Sequence, residues 1–172
     1  MAADDPRELV VFSLHGELYA VGVATVREIV RYIAPGVSAA ARGDVRGLIN
    51  LRGTVLPVVD LSQRLGRELA VDARTRILVL DLAAGPVGLI VDAVEGVQTI
   101  PAAAIGPLPA SVRDAALGLG LGFGEEIATV GERLVLLVDP ERLLDPGAAS
   151  GLPGNAARPR LSTFLRPVDG GP

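Results

Sequence analysis

Val, Leu and Ile gather in short runs along the chain: ELVVFSL, GLINL, TVLPVVDL, RILVLDL, VGLIVDAV and RLVLLVD. Gly, Pro or Asp bound most of them. Runs of this length, rich in branched side chains and cut by turn residues, predict strands rather than helices. No stretch sustains a 3.6-residue period. The pattern predicts an all-β chain with a few short helical turns.

The pattern also repeats itself. RELVVFSLHGELYAVGVATVREIVRY overlays TRILVLDLAAGPVGLIVDAVEGVQTI at a constant offset of 68, with Leu9 on Ile77, Val11 on Val79, Val26 on Val94 and Ile29 on Val97. TVLPVVDLSQRL then overlays RLVLLVDPERLL at an offset of 79, with Asp60 on Asp139 and Leu65 on Leu144. Two ordered matches predict a duplication, with a longer loop in the second half. Each half reads as a strand, a tight turn and a second strand. A one-turn helix near Ala24–Arg27, or near Ala93–Gly96, leads to a third strand. A loop, two more strands and a short helix follow. Five short strands remove their open edges by closing into a small barrel. The expected boundaries are about 7–66 for the first barrel and 75–145 for the second, with a groove between them of the kind that binds ligands. The Gly/Pro/Ala-rich stretch 146–172 reads as a flexible tail, in which LSTFLRP is a candidate short anchor.

Composition narrows the function. Aromatic residues make up only 3% of the 172 residues and Trp is absent, so the core is aliphatic and a base-stacking surface is not expected. The net charge of −4 argues against nucleic acid, because an acidic chain repels phosphate backbones. Every basic residue except His15 is Arg. Arg suits bidentate contacts to protein, although a GC-rich genome produces the same bias. Without Cys there are no disulfides, thiolate nucleophiles or Cys-ligated metals. The start, MAADDPRELV, lacks the basic-then-apolar pattern of a signal peptide. No apolar run approaches the ~20 residues of a membrane span. The reading is a soluble cytoplasmic protein with no direct membrane insertion.

Candidate chemistry is sparse. His15, beside Gly16 between two predicted strands, reads as a solvated turn residue. Asp60, Asp81, Asp92 and Asp139 each follow an apolar run, a place where metal-dependent enzymes also put carboxylates. Asp139-Pro140-Glu141 reads better as a helix cap, and Asp60 with Ser62 repeats it. GLGLGFG at 118–124 resembles a phosphate loop, but strand-like sequence follows it and the chain has no lysine. Glu28 and Arg52 stand in apolar surroundings, with Arg52-Gly53 at the tip of a predicted hairpin. Either they pair across a barrel and leave an Arg fork for a partner, or they are unpaired surface charges worth little. Residue chemistry alone does not choose.

VREIVRY at 26–32, VRGLINLRGTVLPVVDL at 45–61, VGLIVDAVEGV at 87–97 and RLVLLVDPERLL at 133–144 resemble the CheW family of chemotaxis coupling proteins. The resemblance spans about Arg7 to Leu144. It implies two five-stranded SH3-like barrels around a shared core, no enzymatic activity and no cofactor, metal or catalytic residue. It implies an adaptor that bridges the cytoplasmic tip of a chemoreceptor to the regulatory domain of a CheA-type histidine kinase, reaching membrane-bound receptor arrays through these partners. The positions that match the family's coupling residues are Val26, Glu28, Gly47, Arg52, Gly53 and Val91, and in the family the Glu and Arg form an ion pair. The alternatives are a coupling domain detached from a CheA or CheV-type protein and, from a different class, a small Asp-based metal-dependent enzyme. The chain departs from the family pattern at IAPGVSAAARGD, in the glycine-rich stretch 118–134 and in the tail.

Overall fold

The computed structural model describes residues 5–37, 43–62, 64–65, 67–111, 124 and 126–144. The tail 146–172, and the glycine run 118–124 except for Gly124, lie outside the described residues. The predicted strands form. They are β1 (Arg7–Leu14), β2 (Glu17–Gly22), β3 (Val26–Arg31), β4 (Val45–Leu51), β5 (Thr54–Val59), β6 (Arg76–Leu82), β7 (Gly85–Val91), β8 (Ala93–Ile100), β9 (Ile105–Pro107), β10 (Glu126–Val130) and β11 (Arg133–Leu137). A one-turn helix, α1 (Pro140–Leu143), follows. Two hairpins turn on residue pairs with positive φ, His15-Gly16 at 49° and 84° and Arg52-Gly53 at 51° and 86°. That is the type I′ geometry, whose twist matches the flanking strands.

The strands form two sheets. Barrel A has the order β8-β1-β2-β11-β10-β9, and barrel B has β3-β6-β7-β5-β4. The expected barrel boundaries are therefore corrected. Barrel B is one continuous segment, β3 to β7, inserted between β2 and β8 of barrel A. The reason is reach. To join its own half, β3 would have to lie antiparallel to β1 and hence parallel to β2. The connection would then climb the full length of a strand, about 20 Å for six residues. Only Val23–Thr25 separate β2 from β3, and three residues span ~10 Å at most. Both β3 and β8 therefore cross to the other sheet.

The duplication survives this exchange in register. Val26 pairs with Leu80, Glu28 with Val79 and Val30 with Ile77, while Val94 pairs with Phe12, Gly96 with Val11 and Gln98 with Leu9. Every pair is its counterpart displaced by 68, and the ladder skips one residue at Arg27 and at Glu95 alike. The parallel pairs agree as well, with Val58 beside Gly88 and Leu137 beside Ala20. Two details differ from expectation. The 3-10 turn occurs at Val23–Thr25, but no helix forms near 93–96, where β8 starts directly after Asp92. The three-residue β9 was not expected. It pairs Gly106 with Ile127 of β10 and holds the place of the isolated bridge between Gly36 and Leu48 of β4.

Three apolar clusters hold the molecule together. Leu9, Val11, Ala20 and Val135 fill barrel A, and Ile77, Val79, Leu56 and Val58 fill barrel B. The largest cluster lies between the sheets, with Val10, Phe12 and Tyr19 from one and Leu78, Leu80 and Leu89 from the other. β1, β2, β6 and β7 are thus buried on both faces, which is why their sequences read as apolar runs rather than as alternation.

Polar ties cross the same boundary. Arg64, after β5, pairs with Asp44 at 2.5 Å and donates to the carbonyl of Leu143 in α1 at 2.8 Å. His15 is not a purely solvated turn residue. Half-buried, it places Nε2 2.9 Å from Ser62 Oγ, and its backbone N–H donates to Asp92 Oδ2 at 2.7 Å.

Candidate functional site

Barrel B brings together its first and last strands. The segment after β3 bridges β4 through Gly36, which exchanges two backbone hydrogen bonds of 2.9 and 3.0 Å with Leu48. This close approach explains Gly47. A Cβ there would collide with the Gly36 carbonyl oxygen, and its φ is +151°. The β4–β5 hairpin is thereby held beside β3. At its tip Asn50 Oδ1 accepts from Gly53 N–H at 2.9 Å, closing the turn. Asn50 and Gly53 shape the turn as their residue types predict.

Arg52 then reaches Glu28. Its Nη1 and Nη2 donate to Oε2 and Oε1 at 2.9 and 2.8 Å, a bidentate fork. Glu28 is mostly covered, at 24% exposure, while the Arg52 side chain is 75% exposed. Of the two readings left open by residue chemistry, the paired one is what the structure contains. Arg52 also holds a left-handed backbone at φ 51° without being Gly or Asn, a conformation that costs a side-chain-bearing residue roughly 1–2 kcal/mol. Elsewhere on the same strands, Ile29 of β3 and Val55 of β5 leave large apolar side chains 40% and 55% exposed.

The carboxylates weighed as metal ligands are otherwise engaged. Asp60, 2% exposed, accepts from Ser62 N–H at 2.9 Å and from Arg46 at 2.8 and 2.7 Å. Asp139 accepts from Glu141 N–H at 3.0 Å, the same step of two residues, so the duplicated caps are present. Asp81 pairs with Arg27 at 2.7 Å. Among the described residues no group of three or more His, Asp or Glu is placed to hold a metal ion, and no helix is long and apolar enough to cross a membrane.

The model of the CheW-like domain family matches residues 8–147. The chain belongs to this family. The chemotaxis protein CheW of Klebsiella aerogenes is 31% identical over 139 residues, which cover 80% of this chain and 81% of that protein. The CheW of Bacillus subtilis is 31% identical over 152 residues, covering 87% and 94%. Among solved structures, the scaffolding protein TtCheW from Thermoanaerobacter tengcongensis superposes with a TM-score of 0.70 at 29% identity, covering 83% of this chain and 95% of that one. The two-barrel fold expected from the resemblance is thus the family's.

The six coupling positions do not form one surface. Glu28, Arg52 and Gly53 meet at the hairpin tip. Gly47 lies five residues from Arg52 along β4, about 16 Å at a strand's rise, and its role there is steric. Val26 is partly buried against the shared core. Val91 is corrected as a contact residue. At 0% exposure it ends β7 inside the shared core, so its methyl groups pack there and meet no partner. Ile29 and Val55 were missed because an apolar residue within a strand run gives no sign of which face it takes.

Proposed function

We propose that the chain is a non-enzymatic coupling adaptor. It binds the cytoplasmic tip of a chemoreceptor through the hairpin tip of barrel B, and joins it to the regulatory domain of a CheA-type histidine kinase. In this reading it works in the cytoplasm and reaches membrane-bound arrays through its partners. The observation that carries the reading is the Glu28–Arg52 fork, exposed at the strained tip of a hairpin. Strain retained at an exposed position points to function, because folding alone favours Gly there. Glu28 fixes the guanidinium plane, and the unoccupied N–H groups of the fork face outward to a partner's carbonyl or carboxylate. Gly47 and Val26 support the hairpin and the start of β3.

The test is calorimetry of Arg52→Ala against a receptor-tip fragment, with circular dichroism to check the fold. Truncating a charge inside a desolvated contact typically costs ~2–5 kcal/mol of binding, whereas a wet rim contact costs well under ~1 kcal/mol. The expected loss lies in the first range. Glu28→Ala is expected to lose a similar amount, and the double variant little more, because the two act as a unit. Wild-type affinity in a folded Arg52→Ala protein would overturn the assignment.

A further inference from the structure

Barrel A contains a cleft of about 370 Å³ that has no part in the hairpin site. Leu9, Ala20 and Leu137 form its apolar floor, and Arg7, Glu126 and Asp139 stand on its rim. Arg7 and Glu126 form a bidentate pair at 2.8 and 3.1 Å across the opening. Arg142 of α1 also lines it. The chain therefore leaves the described fold, after Leu144, two residues from the cleft's edge. The surrounding barrel is strongly acidic: the described residues of segments 5–22 and 92–144 hold three arginines against nine Asp and Glu. The residues beyond Leu144 have the opposite balance, with three arginines against two Asp. Their densest apolar cluster is Leu161, Phe164 and Leu165, flanked by Arg160 and Arg166.

We propose that the cleft of barrel A is an intramolecular docking site for the chain's own segment 160–166, with Phe164 seated against Leu9 and Leu137. Three features select this occupant. Reach is satisfied, since Leu161 lies 17 residues beyond Leu144 and a Gly-rich chain of that length spans roughly 20–25 Å. Tethering places the segment at an effective concentration on the order of millimolar, so a modest contact suffices. Charge favours it, because Arg160 and Arg166 bracket the apolar cluster and approach an acidic barrel. The volume lies within the range of sites that enclose a small ligand, and it suits one aromatic ring with its aliphatic neighbours.

The test uses the full chain in solution by NMR, comparing wild type with Phe164→Asp and with Arg160→Glu/Arg166→Glu. These substitutions touch no described core residue. Cross-relaxation between the Phe164 ring and the methyls of Leu9 and Leu137 is expected. So is amide exchange over 161–166 about tenfold slower in wild type than in Phe164→Asp, the ratio for a segment docked nine-tenths of the time. The double arginine variant should fall between the two. Identical exchange in wild type and Phe164→Asp would overturn the proposal, as would ring contacts on another surface. Contacts that appear only between differently labelled molecules would assign the cleft to a second copy's tail, and contacts from residues 112–123 to the floor would assign it to that segment. Either result also overturns the proposal. Because the cleft lies on barrel A and the hairpin on barrel B, a failure here leaves the coupling assignment untouched, and the reverse holds.

Discussion

Barrels A and B are built on one repeated pattern, and the positions where they differ are informative. At Asp60 and Asp139 both halves keep the carboxylate that caps the turn after the last strand. Ile29 and Val97, and Val55 and Leu134, are equivalent exposed apolar pairs, at 40%, 59%, 55% and 61% exposure. The ion pair is not shared. Displacing Glu28 by 68 gives Gly96, and displacing Arg52 by 79 gives Gly131. Gly131, with φ 63°, has the same left-handed backbone as Arg52, with the residue that folding prefers. Charge diverges too. Segment 26–91 has nine arginines against six Asp and Glu, whereas the full sequence of segments 5–22 and 92–144 has four against eleven. The capping carboxylates and the exposed apolar pairs agree between the halves, and the charges and the ion pair do not. Barrel B alone carries a side-chain fork at its hairpin, and that asymmetry singles it out as the candidate coupling surface.

The sharpest way to break the picture of two barrels on one core is Phe12→Ala. Phe12 is fully buried between the sheets, with Tyr19 beside it at 5.9 Å between ring centres. Its truncation is expected to cost ~3–5 kcal/mol. Denaturation followed by amide exchange at Val11 and Val79 should show both barrels unfolding in one transition. Separate transitions would mean that the shared core does not couple them.

A smaller effect compares two equivalent positions, Gly47 and Glu126. Gly47→Ala drives a Cβ into the Gly36 carbonyl at a positive φ, and is expected to cost ~2–3 kcal/mol. Glu126→Ala removes only an exposed pair with Arg7, worth under ~1 kcal/mol. Equal denaturation midpoints in the two variants would refute the steric account of Gly47.

The next prediction turns on pH. Tyr19 is buried in the shared core, where its equivalent is Val87. Burial, with the Glu17 carboxylate acting on the hydroxyl, raises the phenol's pKa well above its ordinary value. The unfolded chain therefore ionises first, near pH 10. Stability from this group is intact below that pH and falls as pH rises beyond it, at up to ~1.4 kcal/mol per unit. Tyr19→Phe should flatten that decline. An unchanged alkaline slope would place the liability elsewhere.

The smallest expected effect on stability is the most discriminating for function. Arg52→Gly makes the hairpin of barrel B resemble the glycine turn of barrel A. Relief of roughly 1–2 kcal/mol of backbone strain offsets the lost exposed pair and the added freedom of the unfolded chain. Stability by denaturant should therefore stay within about 1 kcal/mol of wild type, while receptor binding falls as in Arg52→Ala. A large loss of stability would make Arg52 a folding residue and remove the reason for assigning it to a partner.

Much of this was already present in the sequence, because it depends on local chemistry. Strands followed from apolar runs cut by Gly, Pro and Asp. The hairpin tip followed from Asn50-Leu51-Arg52-Gly53, and the duplicated caps from Asp60 and Asp139. The two offsets, 68 and 79, fixed which residues are equivalent before any contact was known. Other features are relations between distant segments, and tertiary structure decided them. Periodicity states that Val91 and Ile29 are apolar, but not that one faces the shared core and the other faces solvent. Glu28 and Arg52 lie 24 residues apart, and they meet only because Gly36 bridges β4 and brings the ends of the sheet together. The assignment of β3 and β8 to opposite barrels was likewise decided in three dimensions. A connection of three residues cannot cross a strand's length, and the free edge within its reach belonged to the other half.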